Sequence, residues 1–303
     1  MSIEFELFDQ AKRRARRRGF FAGVILVLVV IAILLLANTV SDLKRGDPHI
    51  ARVKVAGQIH DDQGLQNLLS QLKLNENVKA VIVHINSPGG SVVGAESIYV
   101  SLSKLSQTKP SVSVLGETAA SGGYLIALAT DFIVSRGNTL TGSVGVIVQY
   151  PNFSELLEKL GVSINTLKSA DLKTSFNFFE DPTEKAIEKH KELVDETFVW
   201  FKNLIVTERN LSKVNLNKVL TGQLFTGRMA LKIGMLDKIG GEEEAVKYLT
   251  SKYVEFDNLP IVDWSIKKDN NSIWNFFEFV QDVSHMKARF LGDQGPRLYS
   301  TLF

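Results

Sequence analysis

Hydrophobic positions change their period along this chain, and the changes divide it. From Gly19 to Val40 they are continuous: 22 residues without a charge, mostly Val, Ile, Leu and Ala. At about 1.5 Å per residue, a helix of that length spans a hydrocarbon core of about 30 Å. From Ile50 to Val55 apolar residues alternate, which predicts a strand. Asp61 or Asp62 can cap a helix running to Leu74, with Leu65, Leu68, Leu69 and Leu72 on one face. Ala80 to Ile85 is a β-branched run suited to a buried strand, and it ends at Asn86-Ser-Pro-Gly-Gly90. A helix from about Ser91 to Leu105, a strand from Ser111 to Leu115, a helical pattern from Tyr124 to Ala129 and a short strand from Phe132 to Val134 follow.

Beyond that point, Thr141-Gly-Ser-Val-Gly-Val-Ile147 reads as a turn entering a strand, and Gly161 to Leu167 as another strand. Asp181-Pro-Thr-Glu184 has the form of a capping box with proline at the first helical position. It opens a helix to about Glu208 with Ile187, Val194, Phe198, Phe201 and Ile205 on one face, the pattern of a core helix. Phe225-Thr-Gly-Arg228 opens a short helix to Ile233, and a helix from Glu242 to Leu249 closes the domain. Tyr253 to Val262 reads as a strand broken by Pro260, and Ser272 to Phe290 as an aromatic helical stretch whose apolar face packs on its own core, on a neighbouring subunit or on a membrane surface. Alternation of strands and helices predicts an α/β domain with a mostly parallel sheet covered on both faces.

Charge gives the apolar run a direction. Lys12, Arg13, Arg14, Arg16, Arg17 and Arg18 cluster immediately before it, although the 303-residue chain has a net charge of only +2. Positive charge stays in the cytoplasm, so residues from about Ser41 onward are expected outside it. Contact with anionic lipid suits the cluster better than nucleic acid, given its position against the span. A cleaved signal peptide is the alternative, but its apolar region would be shorter and Leu36-Ala-Asn-Thr-Val40 is a poor cleavage site. The expected organisation is a basic cytoplasmic segment (1–18), a transmembrane helix (19–40), a linker (41–49), a catalytic domain (50–250) and a C-terminal extension (251–303). The chain has no cysteine, hence no disulfide or thiolate ligand, and its five histidines lack metal-binding spacing; neither a metal nor a cofactor is expected.

Candidate chemistry centres on Gly116-Glu-Thr-Ala-Ala-Ser-Gly-Gly-Tyr124. A serine at a strand-to-helix turn, flanked by small residues, exposes its hydroxyl beside free backbone N–H groups, as an acyl-transfer nucleophile requires. A turn where helix packs closely on sheet would use the same residues. Pro88-Gly89-Gly90 lies one strand–helix unit earlier, and the N–H groups of Gly90 and Gly122 can form a two-donor oxyanion hole. Proline at Gly90 is expected to remove a donor while sparing the fold. For the base, His84 sits in a strand that reads as buried, where packing is its simpler role. Lys173 is the other candidate, and a lysine accepts a proton only when neutral.

These motifs together resemble the signal peptide peptidase A family of membrane-anchored serine peptidases. The resemblance covers about Ile50 to Tyr248 and rests on Asn86-Ser-Pro-Gly-Gly-Ser91, Ala119-Ala-Ser-Gly-Gly-Tyr124, Thr141-Gly-Ser-Val-Gly145, Lys168-Ser-Ala-Asp-Leu-Lys173 and Phe225-Thr-Gly-Arg228. It implies a crotonase-like fold of repeated β-β-α units, related to the Clp protease. It also implies a Ser-Lys dyad of Ser121 and Lys173, with Ser143 holding the lysine and Gly90 and Gly122 in the oxyanion-hole region. Ala170 replaces a usual glycine, and Phe176-Asn-Phe-Phe179 stands near the place of a usual Ser-Pro-Phe. The family's substrates are hydrophobic peptides, including remnant signal peptides, and its closed oligomers imply a ring-shaped homo-oligomer in the inner (cytoplasmic) membrane, with sites shared between neighbours. Regulated proteolysis of a specific membrane protein, or a non-catalytic membrane scaffold, are the alternative functions.

Overall fold

The computed structural model describes residues 46–266, together with Val29. The expected basic segment, residues 41–45 of the expected linker, nearly all of the expected transmembrane helix and most of the C-terminal extension, including the aromatic stretch, lie outside these residues. No helix among the described residues is long and apolar enough to cross a membrane.

Eight strands form one sheet: β1 (His49–Ala56), β2 (Val78–Ser87), β3 (Ser111–Ala120), β4 (Phe132–Ser135), β5 (Leu140–Gly142), β6 (Leu224–Thr226), β7 (Lys238–Ile239) and β8 (Ile261–Trp264). The order is β6-β5-β3-β2-β1-β8, with β4 pairing β3 and β7 pairing β4. All pairs are parallel except β5–β6. The long strand β3 carries two partners in succession: β4 alongside Val112–Leu115 and β5 alongside Thr118–Ala120. Its last residues are thereby held in the sheet up to the turn that follows.

The period-two pattern sorts the core into two layers. On one face, Ala51, Val53, Val55, Val81, Val83 and Ile85 pack with helices α1 (Gln63–Leu74), α2 (Val92–Ser106) and α3 (Gly122–Ala127). Helix α1 buries Leu65, Leu68, Leu69 and Leu72, as its spacing predicts, and Asp62 caps it by accepting the Leu65 N–H at 3.0 Å. On the other face, Ile50, Ala80, Ile82, Val112, Val114 and Val134 meet Ala245, Leu249 and Phe256. Ala245 and Leu249 belong to α8 (Glu242–Lys252).

Several expectations need correction. Val144 to Ile147 is extended but enters no strand, and Gly161 to Leu167 forms none either. The alternating Val162, Ile164 and Leu167 are all exposed: a period-two pattern makes a strand only where another strand offers its backbone. The short helix α4 (Ser154–Lys159) lies in this region and buries nothing. The cap of α5 (Glu184–Glu208) is Thr183, which accepts the Ala186 N–H at 3.2 Å, so Pro182 precedes the cap instead of opening the helix. Helix α5 is not a core helix over its length, since it buries only Ala186, Phe201 and Ile205 and leaves Ile187 49% exposed. Residues 254–256 form a 3-10 turn, and strand β8 begins only after Pro260.

Helices α6 (Lys213–Val219) and α7 (Gly227–Ile233) complete the fold. Thr226 caps α7, and Gly234 ends it in the left-handed conformation at φ 88°. His84 is not a core histidine: it is half-buried and its Nε2 lies 2.6 Å from Glu242. Arg52 bridges the same Glu242, at 3.0 Å, and Asp263, at 2.6 Å, and thus ties β1 to β8 and to the start of α8. Burial raises the Glu242 carboxyl, but the hydrogen bonds from His84 and Arg52 outweigh it and hold the group below its usual range. The Arg52 hydrogen bond does the same for Asp263.

Candidate active site

Ser121 occupies the junction of β3 and α3 with φ 50° and ψ −119°. A non-glycine residue in that region is strained, at a cost of about 1–3 kcal/mol, and persists only where the surroundings enforce it. Here they do. The Ser121 N–H donates to the Gly142 carbonyl at 2.8 Å, which continues the β3–β5 ladder through the turn. On the helical side, Tyr124 is fully buried and its hydroxyl donates to the Met235 carbonyl at 2.9 Å. Burial pushes that hydroxyl's pKa up, so it remains a donor.

The glycines after the serine are demanded by packing. A Cβ on Gly123 would lie 2.7 Å from the Ser87 carbonyl oxygen, and one on Gly122 would lie 3.1 Å from Ala95 Cβ. Both readings of the motif, close helix-on-sheet packing and an exposed nucleophile, therefore describe the same turn. The hydroxyl of Ser121 makes no hydrogen bond among the described residues.

The loop after β2 meets this turn. Gly89, at φ 107°, approaches so closely that its absent Cβ would sit 3.0 Å from Ser121 Cβ and 3.1 Å from the Gly122 nitrogen. The Ser87 hydroxyl accepts the Gly89 N–H at 3.1 Å and fixes the loop. Gly90 bridges Ile59, whose N–H and carbonyl bond Gly89 and Ser91, and the Gly90 N–H has no partner among the described residues. That leaves it free to donate beside Ser121. A Cβ at Gly90 would fall 2.0 Å from the Ile59 carbonyl oxygen. The expectation that Gly90→Pro spares folding therefore fails: any side chain there displaces backbone.

Ser143 follows β5, whose Gly142 pairs with Ala120, so the two serines are neighbours across the ladder. It too has a positive φ, 49°, and its N–H donates to the Gln223 carbonyl at 2.9 Å. Ser121 and Ser143 line one cleft of 730 Å³ with Pro88, Gly89, Gly90 and Val144–Ile147. That is the size of a ligand site. The remaining wall comes from Gln58, from Val194, Asp195 and Phe198 of α5, and from Leu220–Gly222. Sequence reasoning did not place these last groups at the site, because nothing local marks a helix face as a cleft wall.

Lys173 stands apart from this cleft. It is exposed, in the loop between α4 and α5, and is not among the residues lining the cleft. Its loop is nonetheless ordered by specific contacts. Lys168 pairs with Glu180, Asn177 accepts the N–H groups of Phe179 and Glu180, and the Phe176 ring packs tilted against His190 of α5, with centroids 3.9 Å apart. Thr174, directly after Lys173, has φ 53°. His84, the other candidate base, lies with Arg52 and Glu242 in a second cleft, away from Ser121. No group of His, Cys, Asp and Glu among the described residues could hold a metal ion.

Comparison with known proteins is consistent with this geometry. The Clp protease family matches residues 50–138, and Peptidase family S49 matches residues 103–254. A protein of Synechocystis sp. named as a protease is 37% identical over 200 residues, covering 65% of this chain and 71% of its own length. A protease-named protein of Methanocaldococcus jannaschii is 29% identical over 265 residues, or 81% of this chain and 85% of that one. The Enterococcus faecium protein named signal peptide peptidase SppA is 35% identical over 188 residues, covering 61% of this chain and 55% of its own. The strained serine turn lies within both family matches and its glycine loop within the Clp protease match, and the chain belongs to Peptidase family S49.

Proposed function

We propose that this chain is a membrane-anchored serine endopeptidase with a Ser-Lys dyad, and that it degrades hydrophobic peptides, including remnant signal peptides. One observation carries the reading. Of the four non-glycine residues with positive φ among the described residues, Ser121 and Ser143 line one cleft and Thr174 adjoins Lys173. Strain concentrated at such positions is characteristic of functional sites.

In the proposed reaction, Lys173 in its neutral form takes the proton from the Ser121 hydroxyl as the oxygen attacks the scissile carbonyl. The N–H groups of Gly90 and Gly122 stabilise the oxyanion, and Ser143 holds the lysine amine. The protonated amine then protonates the leaving nitrogen, and water releases the acyl group from Ser121 by the reverse sequence. Since Lys173 is exposed and outside the cleft of its own chain, we further propose that it serves the Ser121 of a neighbour in a ring of identical subunits. The uncharged run 19–40 and the basic cluster before it support an anchor in the cytoplasmic membrane with the catalytic domain outside the cytoplasm. The Enterococcus relative's name supports the substrate class.

A fluorophosphonate probe tests the core of this reading. The native chain should be labelled and Ser121→Ala should not; an unlabelled, folded native chain would rule out Ser121 as an activated nucleophile. Only a neutral amine accepts a proton, so kcat/KM should rise with pH, and Lys173→Arg should be inactive because guanidinium stays protonated.

A further inference from the structure

Asp195 is the single charged side chain among the described residues that line the Ser121 cleft. The rest of the wall is glycine, small polar groups and apolar side chains such as Val144, Val146, Ile147, Phe198 and Leu220. The carboxylate's present partner is Lys191, one turn earlier on α5, at 2.8 Å. Both side chains are largely exposed, 57% for Asp195 and 70% for Lys191. An exposed pair of this kind contributes little, and with the lysine on the N-terminal side it has the weaker helical orientation. An incoming cation can therefore displace Lys191 at small cost. The base is a poor candidate for that cation: a carboxylate beside Lys173 would favour its protonated, inactive form.

We propose that Asp195 is a specificity-determining residue that accepts a lysine or arginine side chain of the peptide, close to the scissile bond, while the apolar wall takes its hydrophobic neighbours. This rests on the peptidase reading and sharpens its substrate class.

The test uses end-capped octapeptides with one apolar framework, in which a single residue next to the cleaved bond is Lys, norleucine or Glu. The native protein should prefer the Lys peptide to the Glu peptide by about ten-fold in kcat/KM at low salt, as for a partly exposed charge-assisted contact, and less at high salt. Asp195→Asn should bring the ratio near one, Asp195→Lys should invert it, and Asp195→Glu should keep it. The same peptides, dye-labelled, are titrated by fluorescence anisotropy onto the Ser121→Ala chain with and without the Asp195 changes. A ratio unmoved by both Asp195→Asn and Asp195→Lys, in turnover and in binding, overturns the proposal. Cleavage without any charge preference overturns it too and leaves the peptidase reading standing. Preferential binding of the Lys peptide by a chain that cleaves nothing removes the peptidase reading and keeps the Asp195 site.

Discussion

The sheet half of this protein and the stretch from Ile147 to Glu180 use the same apolar residue types to opposite ends. In β1 and β2 valine and isoleucine are buried, as are Leu65, Leu68, Leu69 and Leu72 of α1; Ile82 and Leu72 have no exposed surface at all. In the later stretch, Ile147, Leu156, Leu160 and Leu167 are exposed, Leu167 completely. The first region satisfies its pattern within the chain. The second carries Lys173 and faces outward from its own chain, which is how a segment that completes a neighbour's site would be arranged. Exposed apolar surface on this scale marks an interaction surface.

The comparison is broken most sharply by separating the two regions genetically. Ser121→Ala and Lys173→Ala should each lower kcat/KM by about 10⁴-fold or more, as losses within a catalytic unit do. Co-expressed with different tags, they should assemble into mixed rings that regain part of the activity. Mixed rings that form and stay inactive would place the dyad within one chain, and the outward face of the later stretch would need another explanation.

Next in size is a pair of leucines. Leu72→Ala removes a fully buried side chain from α1 and should cost about 2–5 kcal/mol in urea unfolding. Leu167→Asp should change stability by no more than about 0.5 kcal/mol, since none of the described residues covers Leu167. It should instead dissociate the assembly, measured by light scattering. A large loss of stability from Leu167→Asp in a dissociated chain would show that the stretch packs on its own domain.

Caps give a smaller contrast. Asp62→Ala should destabilise the domain by about 1 kcal/mol, because α1 is part of the core. Thr183→Ala removes an equivalent bond at the start of α5, where only Ala186 of the first turns is buried. It should fray that helix end, seen as faster amide exchange, with less effect on global unfolding. The smallest effect concerns the β1–β8 edge. Glu242 and Asp263 are held below their usual carboxyl ranges, so the stability they contribute is complete above the unfolded-state values and is lost as pH falls through the folded ones. Exchange protection in β8 should therefore drop under acid conditions before that of β2 and β3 does, and Arg52→Met should remove the difference.

The same contrast explains what the sequence made legible. Strands β1 to β3 and helices α1 and α2 were readable because local period and long-range packing agree there: the leucines spaced for one face are the leucines that are buried. The Ser121 turn was readable because small residues mark a close approach whatever partner supplies it, here Gly123 against the Ser87 carbonyl beside the strained serine. Gly161 to Leu167 misled because no strand among the described residues answers its alternation. Helix α5 misled because an apolar stripe looks alike whether it meets a core, a cleft or a neighbour. His84 misled because a β-branched strand context conceals an acid 158 residues away.

The backbone bonds from Ser121 to Gly142 and from Ser143 to Gln223 have a consequence for safety during biosynthesis. They lock both serines to the sheet, so the nucleophile is finished as soon as the domain folds and awaits no rearrangement. Under the shared-site proposal, what a lone subunit lacks is only a visiting amine. Under that proposal and the proposed anchor, a dilute, newly made chain would be inert, and crowding in the plane of a membrane would switch it on. Its specific activity would then climb with surface density.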